Sequence, residues 1–236
     1  VKYLHDIGDY EKSIPYIEKG IRNYPSSFVF TKYLGDVLVQ RGQKKKAIKY
    51  YEKALNSSPT NYKLRQKIND LKEKKNPLDI YNLDNPYEYI AEKRGVIKDN
   101  NYGLNSLLTQ TNVLAYNKGG GEYKTTLIYE ITAQNGIDIF KEYNLNLSGD
   151  YLIPKSEIIK PDGEIVPADK NGSSLVFHGL EIGDVVYINY EARFSRYGRF
   201  YKDYILSHGF HGYHPYIKNG YRFLTKDATV NYVLTN

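Results

Sequence analysis

The chain contains no cysteine, no methionine and no tryptophan in its 236 residues. Without cysteine there is no disulfide, no thiolate nucleophile and no cysteine-ligated zinc or iron–sulfur site. No apolar run is long enough to cross a bilayer as a helix. No Gly-x-Ser-x-Gly elbow is present. The glycines 119–121 are not followed by the Lys-Ser/Thr of a phosphate loop. The carboxylates Glu130, Asp138, Glu142, Asp150, Glu157 and Asp162 are scattered, and no spacing pairs two of them as acid and base. No catalysis is therefore expected from these residues, and no cofactor. What is abundant is tyrosine, at 26 residues, in a chain that is 41% hydrophobic and 25% charged with a mean hydropathy of −0.60. A chain that opens on Val1 and holds no methionine is expected to be processed or to be a piece of a longer product.

Charge divides the chain. Residues 1–75 hold 17 Lys and Arg against 8 Asp and Glu, a net +9, which leaves −3 for the other 161 residues out of a total of +6. A nucleic-acid binder would be basic throughout, so none is expected as partner. Texture changes at the same place. Lys, Glu, Ile and Tyr at helical spacing give way to Gly clusters and alternating apolar residues. Two Asn-Pro pairs, Asn76-Pro77 and Asn85-Pro86, punctuate the change. Residues 76–95 are expected to form a linker with a short helix near Pro86–Arg94, Pro86 standing at its first position.

Residues 1–75 repeat with a period of 34. Gly8 and Gly42, Ser13 and Ala47, Ile17 and Tyr51, Gly20 and Ala54, and Pro25 and Pro59 are each 34 apart. A fixed period of this size means stacked helical hairpins. The small residues sit where paired helices must approach closely, and Pro25 and Pro59 close the second helix of each hairpin. With its Leu34-Gly35 pair, the region resembles the tetratricopeptide repeat, although Thr31 stands where that family has Trp. In this register Val1 falls inside a first helix, so further repeats are expected before it. Tyr62–Lys74 begins a third unit.

In arrays of this kind the first helices line a concave groove. Here it would be lined by Val29, Lys32, Tyr33, Asp36, Val39 and Gln40. The region is either a peptide-binding surface or a spacer that packs on its neighbours, because a repeat fold alone does not fix a ligand. The run Lys44-Lys45-Lys46 with Lys49 reads as a solvated outer face, since no aromatic residue interleaves with it.

Residues 96–236 read as short strands joined by turns. Leu114–Tyr116, Tyr123–Ile131, Ser156–Lys160, Ser174–Leu180, Val185–Ala192 and Ala228–Leu234 alternate, with Gly-rich or Asp-Gly turns between several of them. Many short strands at this spacing predict an antiparallel sandwich. Two stretches carry a second resemblance: Ile159-Lys160-Pro161-Asp162-Gly163, and Leu180-Glu181-Ile182-Gly183-Asp184 followed by Val185-Val186-Tyr187. With Leu175-Val176-Phe177 they resemble the bacterial domain of unknown function 3857 over about residues 105–236. That resemblance implies a β-rich, non-catalytic domain that usually precedes a transglutaminase-like domain, in envelope or exported proteins of Gram-negative bacteria.

Two further clusters lie near the C-terminal end. His208, His211 and His214 recur every third residue, but Gly209, Gly212 and Pro215 oppose a helix that would make them converge, so an aromatic loop is expected rather than a metal site. Segment 193–223 carries ten aromatic residues interleaved with arginines. Tyr197, Tyr201, Tyr204 and Tyr213 would form a platform for a glycan or a partner protein, or would pack internally.

The sequence thus predicts α plus β in separate domains. A helical tetratricopeptide-type array over 1–75 precedes, after the linker, an antiparallel β-sandwich over 96–236. The function expected is that of a non-catalytic scaffold in a cell-envelope assembly, its repeats binding a protein partner. The alternatives are a glycan-binding module and the non-catalytic front of a transglutaminase-like enzyme.

Overall fold

A computed structural model describes residues 1–59, 61–98, 101–116, 119–195, 199, 203–204, 208–210 and 212–225. The chain divides into two compact units, Val1–Asn76 and Pro77–Asn236.

Unit 1 is five helices: α1 (Lys2–Asp6), α2 (Tyr10–Asn23), α3 (Phe28–Gln40), α4 (Lys44–Ser57) and α5 (Tyr62–Leu71). The period seen in the sequence is the period of the structure. Helices α2 and α4 are both 14 residues long, and their ends are offset by 34. The residues that match across that offset are buried in both copies: Ser13 and Ala47, Ile17 and Tyr51, Gly20 and Ala54. Burying Ile17 alone contributes about 2 kcal/mol. Gly8 and Gly42 end α1 and α3 with φ of 77° and 70°, a left-handed turn open to glycine at little cost. Helix α2 begins on Asp9, whose side chain accepts from the backbone N–H of Lys12, and α5 begins on Asn61, which does the same for Leu64. Helix α5 is polar outside, but Leu64 and Ile68 are buried against the α3–α4 pair.

Unit 2 is built on a six-stranded sheet. Its strands are β1 (Leu104–Ala115), β2 (Gly121–Ile131), β4 (Tyr151–Ile159), β5 (Ile165–Pro167), β8 (Val185–Phe194) and β9 (Asn219–Thr225), in the order β5-β4-β8-β2-β1-β9. Among the described residues the remaining strands, β3 (Glu142–Asn144), β7 (Ser174–Val176) and β6 (Asp169–Asn171), form a three-stranded sheet.

Three features depart from the antiparallel sandwich. First, the sheet is mixed: β9 runs parallel to β1, with Thr109 opposite Asn219 and Ala115 opposite Thr225. Period-2 patterning fixes which face a side chain takes, not the direction of its strand. The 24 residues between β8 and β9 give the chain length enough to return. Second, a helix, α7 (Gln134–Lys141), lies among the strands. It buries Gly136 and Phe140, and only glycine fits at 136 because a Cβ there would strike the carbonyl oxygen of Gly103. Phe140 then joins Tyr129, Tyr143 and Phe177 in one aromatic group, with ring centroids 4.8–6.2 Å apart. Burial pushes the Tyr143 hydroxyl up to about 12. Third, the stretch expected as a linker is packed. It carries α6 (Pro86–Lys93), capped by the Asn85 side chain, and Ile90 is buried among Leu107, Leu108, Ile128, Ile159, Val185 and Tyr187.

Both faces of the large sheet are therefore covered, which explains why β1 is buried along nearly its whole length. The 77–95 stretch is tied down by polar contacts as well. Tyr87 donates to Glu157 (2.5 Å), Tyr89 to the Leu107 carbonyl (2.9 Å) and Arg94 to the carbonyls of Lys160 and Ile159. A bulge between Ser106 and Leu108 lets Leu107 and Leu108 pack in the same cluster.

The two turn motifs meet. Lys160 Nζ lies 2.8 Å from Asp184 Oδ2, which also accepts from the backbone N–H of Glu181 (2.8 Å). Asp184 is fully buried. Gly163 and Gly183 both hold φ of 95°, which L side chains rarely adopt. The turn before β8 is fastened to β2 by paired bonds, Gly183 N–H to the Ile131 carbonyl and Ile131 N–H to the Asp184 carbonyl.

Candidate functional site

The inner helices of unit 1, α1, α3 and α5, with Tyr10 of α2 and Tyr51 of α4, line a cleft of about 430 Å³. Of the six residues expected there, Lys32, Tyr33, Asp36, Val39 and Gln40 line it. Val29 is solvent-exposed near the start of α3 and is not among the lining residues. The cleft also takes in residues the sequence reading passed over: His5, Asp6, Tyr10, Tyr51, Lys67, Asp70 and Leu71.

Asp36 is the centre of the arrangement, with its side chain only 12% exposed. Lys32 lies one turn earlier on the same helix face and reaches Oδ2 at 2.8 Å. Lys67 reaches Oδ1 from α5 at 2.7 Å, and the Tyr51 hydroxyl donates to Oδ1 at 2.6 Å. Burial pushes the Asp36 carboxyl up, but the hydrogen bonds from Lys32, Lys67 and Tyr51 outweigh it and hold the group below the usual carboxylate range. Burial, reinforced by Asp36, pushes the Tyr51 hydroxyl well above its ordinary value, so it stays protonated and donating.

His5 closes the floor. Its Nδ1 is 4.0 Å from Asp36 Oδ2 and its Nε2 is 3.2 Å from Ser13 Oγ. Its ring lies 4.2 Å from that of Tyr33 and 4.9 Å, edge on, from that of Tyr10. Lys32 Nζ lies 4.7 Å from the Tyr33 ring centre. Burial lowers the pKa of His5, with Asp36 opposing the shift in part.

These shifts fix how unit 1 responds to acid. A histidine depressed in the folded state is protonated first in the unfolded chain, so stability falls as pH drops below 6.5. Depression of Asp36 adds a second loss as pH falls through the ordinary carboxylate range near 3.8. His5 is the sole histidine of unit 1. The melting midpoint of unit 1 is therefore expected to fall between pH 7 and pH 5, and His5→Gln to flatten that step while leaving the step near pH 4. Thermal melts across this range, followed by amide exchange in α3 and α4, check it. An unaltered step in His5→Gln removes His5 as its cause.

In unit 2 the expected platform is not brought together by the described residues. Tyr197 and Tyr201 lie outside them. Tyr204 donates to the carbonyls of Tyr116 and Gly120, while Tyr213 is 92% exposed. His211 also lies outside the described residues. His208 is engaged with Asn219 Oδ1 (2.9 Å) and stacks on Tyr221 (4.8 Å). Among the described residues no three His, Asp or Glu side chains converge on a point where a metal ion would sit.

Comparison with known proteins bears on unit 1. The family model for the tetratricopeptide repeat matches residues 32–61, from the second turn of α3 to the start of α5. No curated protein matches the chain. A crystal structure from Parabacteroides distasonis, provisionally assigned as a protease, is similar at 17% identity over 41% of this chain, with a TM-score of 0.33. This chain covers 24% of that protein, and so slight a likeness carries no argument. The repeat match points to protein–protein interaction and to protein partners. Among the described residues no helix is long and apolar enough to cross a membrane.

Proposed function

We propose that unit 1 grips an extended segment of a partner protein in the cleft between α1, α3 and α5, and that unit 2 docks a neighbour without catalysing a reaction. The chain is then a scaffold component of a bacterial cell-envelope assembly. The envelope placement follows from the resemblance carried by the turns at 159–163 and 180–187. The observation that carries the binding role is the cleft itself. It has a rigid floor, in which Asp36, Lys32, Lys67 and Tyr51 hold one another in place, and walls of Tyr33, Val39 and Gln40. A pre-organised surface loses little entropy on binding, and tyrosine offers a large contact with few rotamers to freeze.

The test is photo-crosslinking in the native cell. A photoreactive residue at Gln40, facing the cleft, is expected to yield a discrete protein adduct. The same residue at Lys45, in the basic run at the start of α4, is expected to yield none. Tyr33→Ala is expected to weaken capture about thirtyfold, the effect of losing an anchor worth about 2 kcal/mol. Adducts from position 45 alone, or capture indifferent to Tyr33, would remove the cleft as the binding surface.

A further inference from the structure

The charges of this cleft run against those of the unit that contains it. Residues 1–75 carry +9, yet the charged side chains lining the cleft are Lys32 and Lys67 against Asp6, Asp36 and Asp70, a net of −1, with His5 neutral near pH 7. The charge of the two lysines is also met in part within the cleft. Both ammonium groups are turned onto Asp36, at 2.8 and 2.7 Å, and Lys32 lies against Tyr33 as well. A carboxylate or phosphate brought to these lysines would stand beside the buried Asp36 carboxylate and meet like charge at close range. Asp6 and Asp70 differ from Asp36: both are exposed, and neither has an ion-pair partner among the described residues.

Resting on the binding role proposed above, we infer that the segment seated in this cleft is basic: an extended peptide whose Lys or Arg side chains meet Asp6 and Asp70 while its apolar stem lies along the tyrosine wall. The surrounding surface sharpens the choice. A basic segment meets net repulsion over the lysine-rich exterior of the unit and net attraction in the cleft, whereas an acidic segment is attracted to many exterior sites and to none in particular. The long alkyl stems of Lys and Arg suit a cleft that tyrosine and aliphatic side chains line together with carboxylates.

A random peptide library displayed on phage and panned against the full chain tests this. Only sequences lost on the Gln40→Trp variant are scored. That change crowds the cleft from an exposed position without altering charge, so adhesion to the lysine-rich exterior is discarded. The scored peptides are expected to be enriched in Lys and Arg, and their synthetic versions to bind the Asp6→Asn/Asp70→Asn double variant at least about tenfold more weakly by fluorescence anisotropy. Both aspartates are exposed, so the double variant is expected to keep the fold, with circular dichroism as the check. Scored peptides that are acidic or uncharged, or basic peptides indifferent to the double variant, overturn the inference while leaving a peptide-binding cleft standing. A library that yields no sequence sensitive to Gln40→Trp removes the cleft as a peptide site, and the basic ligand with it.

Discussion

Gly35→Ala is expected to melt unit 1 about 15 °C below the wild type. A Cβ at position 35 lands in the ring of Tyr51, a side chain that is itself 2% exposed and so has nowhere to go. Overpacking of this kind costs about 1–3 kcal/mol. Displacing the ring also parts its hydroxyl from the Asp36 carboxylate, and a hydrogen bond to a charged group is worth about 1.5–3 kcal/mol. Alanine returns about 1 kcal/mol through its better helix propensity. The balance is a loss of about 3 kcal/mol, and in a unit this small each kcal/mol moves the midpoint by about 4–8 °C. Calorimetry with amide exchange resolved to α3 and α4 reads the change. Gly35→Ala paired with Tyr51→Phe separates the parts, since phenylalanine keeps the clash but has no hydroxyl left to lose. A Gly35→Ala midpoint within about 3 °C of wild type shows that the ring yields freely and that the close approach of α3 and α4 is dispensable.

Asp184→Ala is the counterpart in unit 2, with an expected loss of about 3 kcal/mol. The carboxylate is inaccessible to solvent and serves two donors, the Lys160 ammonium and the backbone N–H of Glu181. Deleting it strands a lysine whose side chain is only 16% exposed and leaves the turn amide without its acceptor. The Gly179 carbonyl and Glu181 retain part of the lysine's bonding, which keeps the cost at the lower end of the range for a broken buried pair. Asp184→Asn keeps an acceptor for the amide and is expected to lose about half as much. Amide exchange at Gly183 and Ile131 should accelerate first, since those bonds fasten the turn to β2. Equal exchange in wild type and Asp184→Ala would show that the pairing of β2 with β8 holds the turn without help from the side chain.

The helical unit was legible in the sequence because its period is arithmetic. The same arithmetic reaches further than the six groove residues first assigned. Adding 34 to Tyr33 and Asp36 gives Lys67 and Asp70, and subtracting 34 from Val39 and Gln40 gives His5 and Asp6; all four line the cleft. What no period shows is that Tyr51, which takes the place of Ile17, is long enough to carry a hydroxyl across to Asp36. The charge on the cleft is likewise hidden in the sequence, because it depends on which lysines turn inward.

The sheet unit was legible only in part. Alternation located β2, β7, β8 and the second half of β4, but only the last residues of β1 and none of β9; the strand expected at Ala228–Leu234 lies outside the described residues. Alternation also says nothing of strand direction, so the parallel placing of β9 was out of reach. Helix α7 escaped because Gln134–Lys141 is short and offers just Ile137 and Phe140 as an apolar face. The packed state of 77–95 was hidden by its proline and asparagine content. Those residues cap and start α6, and a cap looks the same in a loose tether as in a docked layer.

The covering of the sheet by residues 77–95 bears on the order in which the polypeptide acquires structure as it leaves the ribosome. The hairpins of unit 1 join neighbours in sequence and complete themselves as they emerge. The covering stretch must wait. Tyr87 is 70 residues from its acceptor Glu157, Arg94 is 66 from the Lys160 carbonyl, and Arg222 of β9 reaches back 110 residues to Asn112. Associations over such distances form late and slowly. During synthesis the apolar side of α6 is therefore expected to lack its full cover in the interval before β4 and β8 arrive.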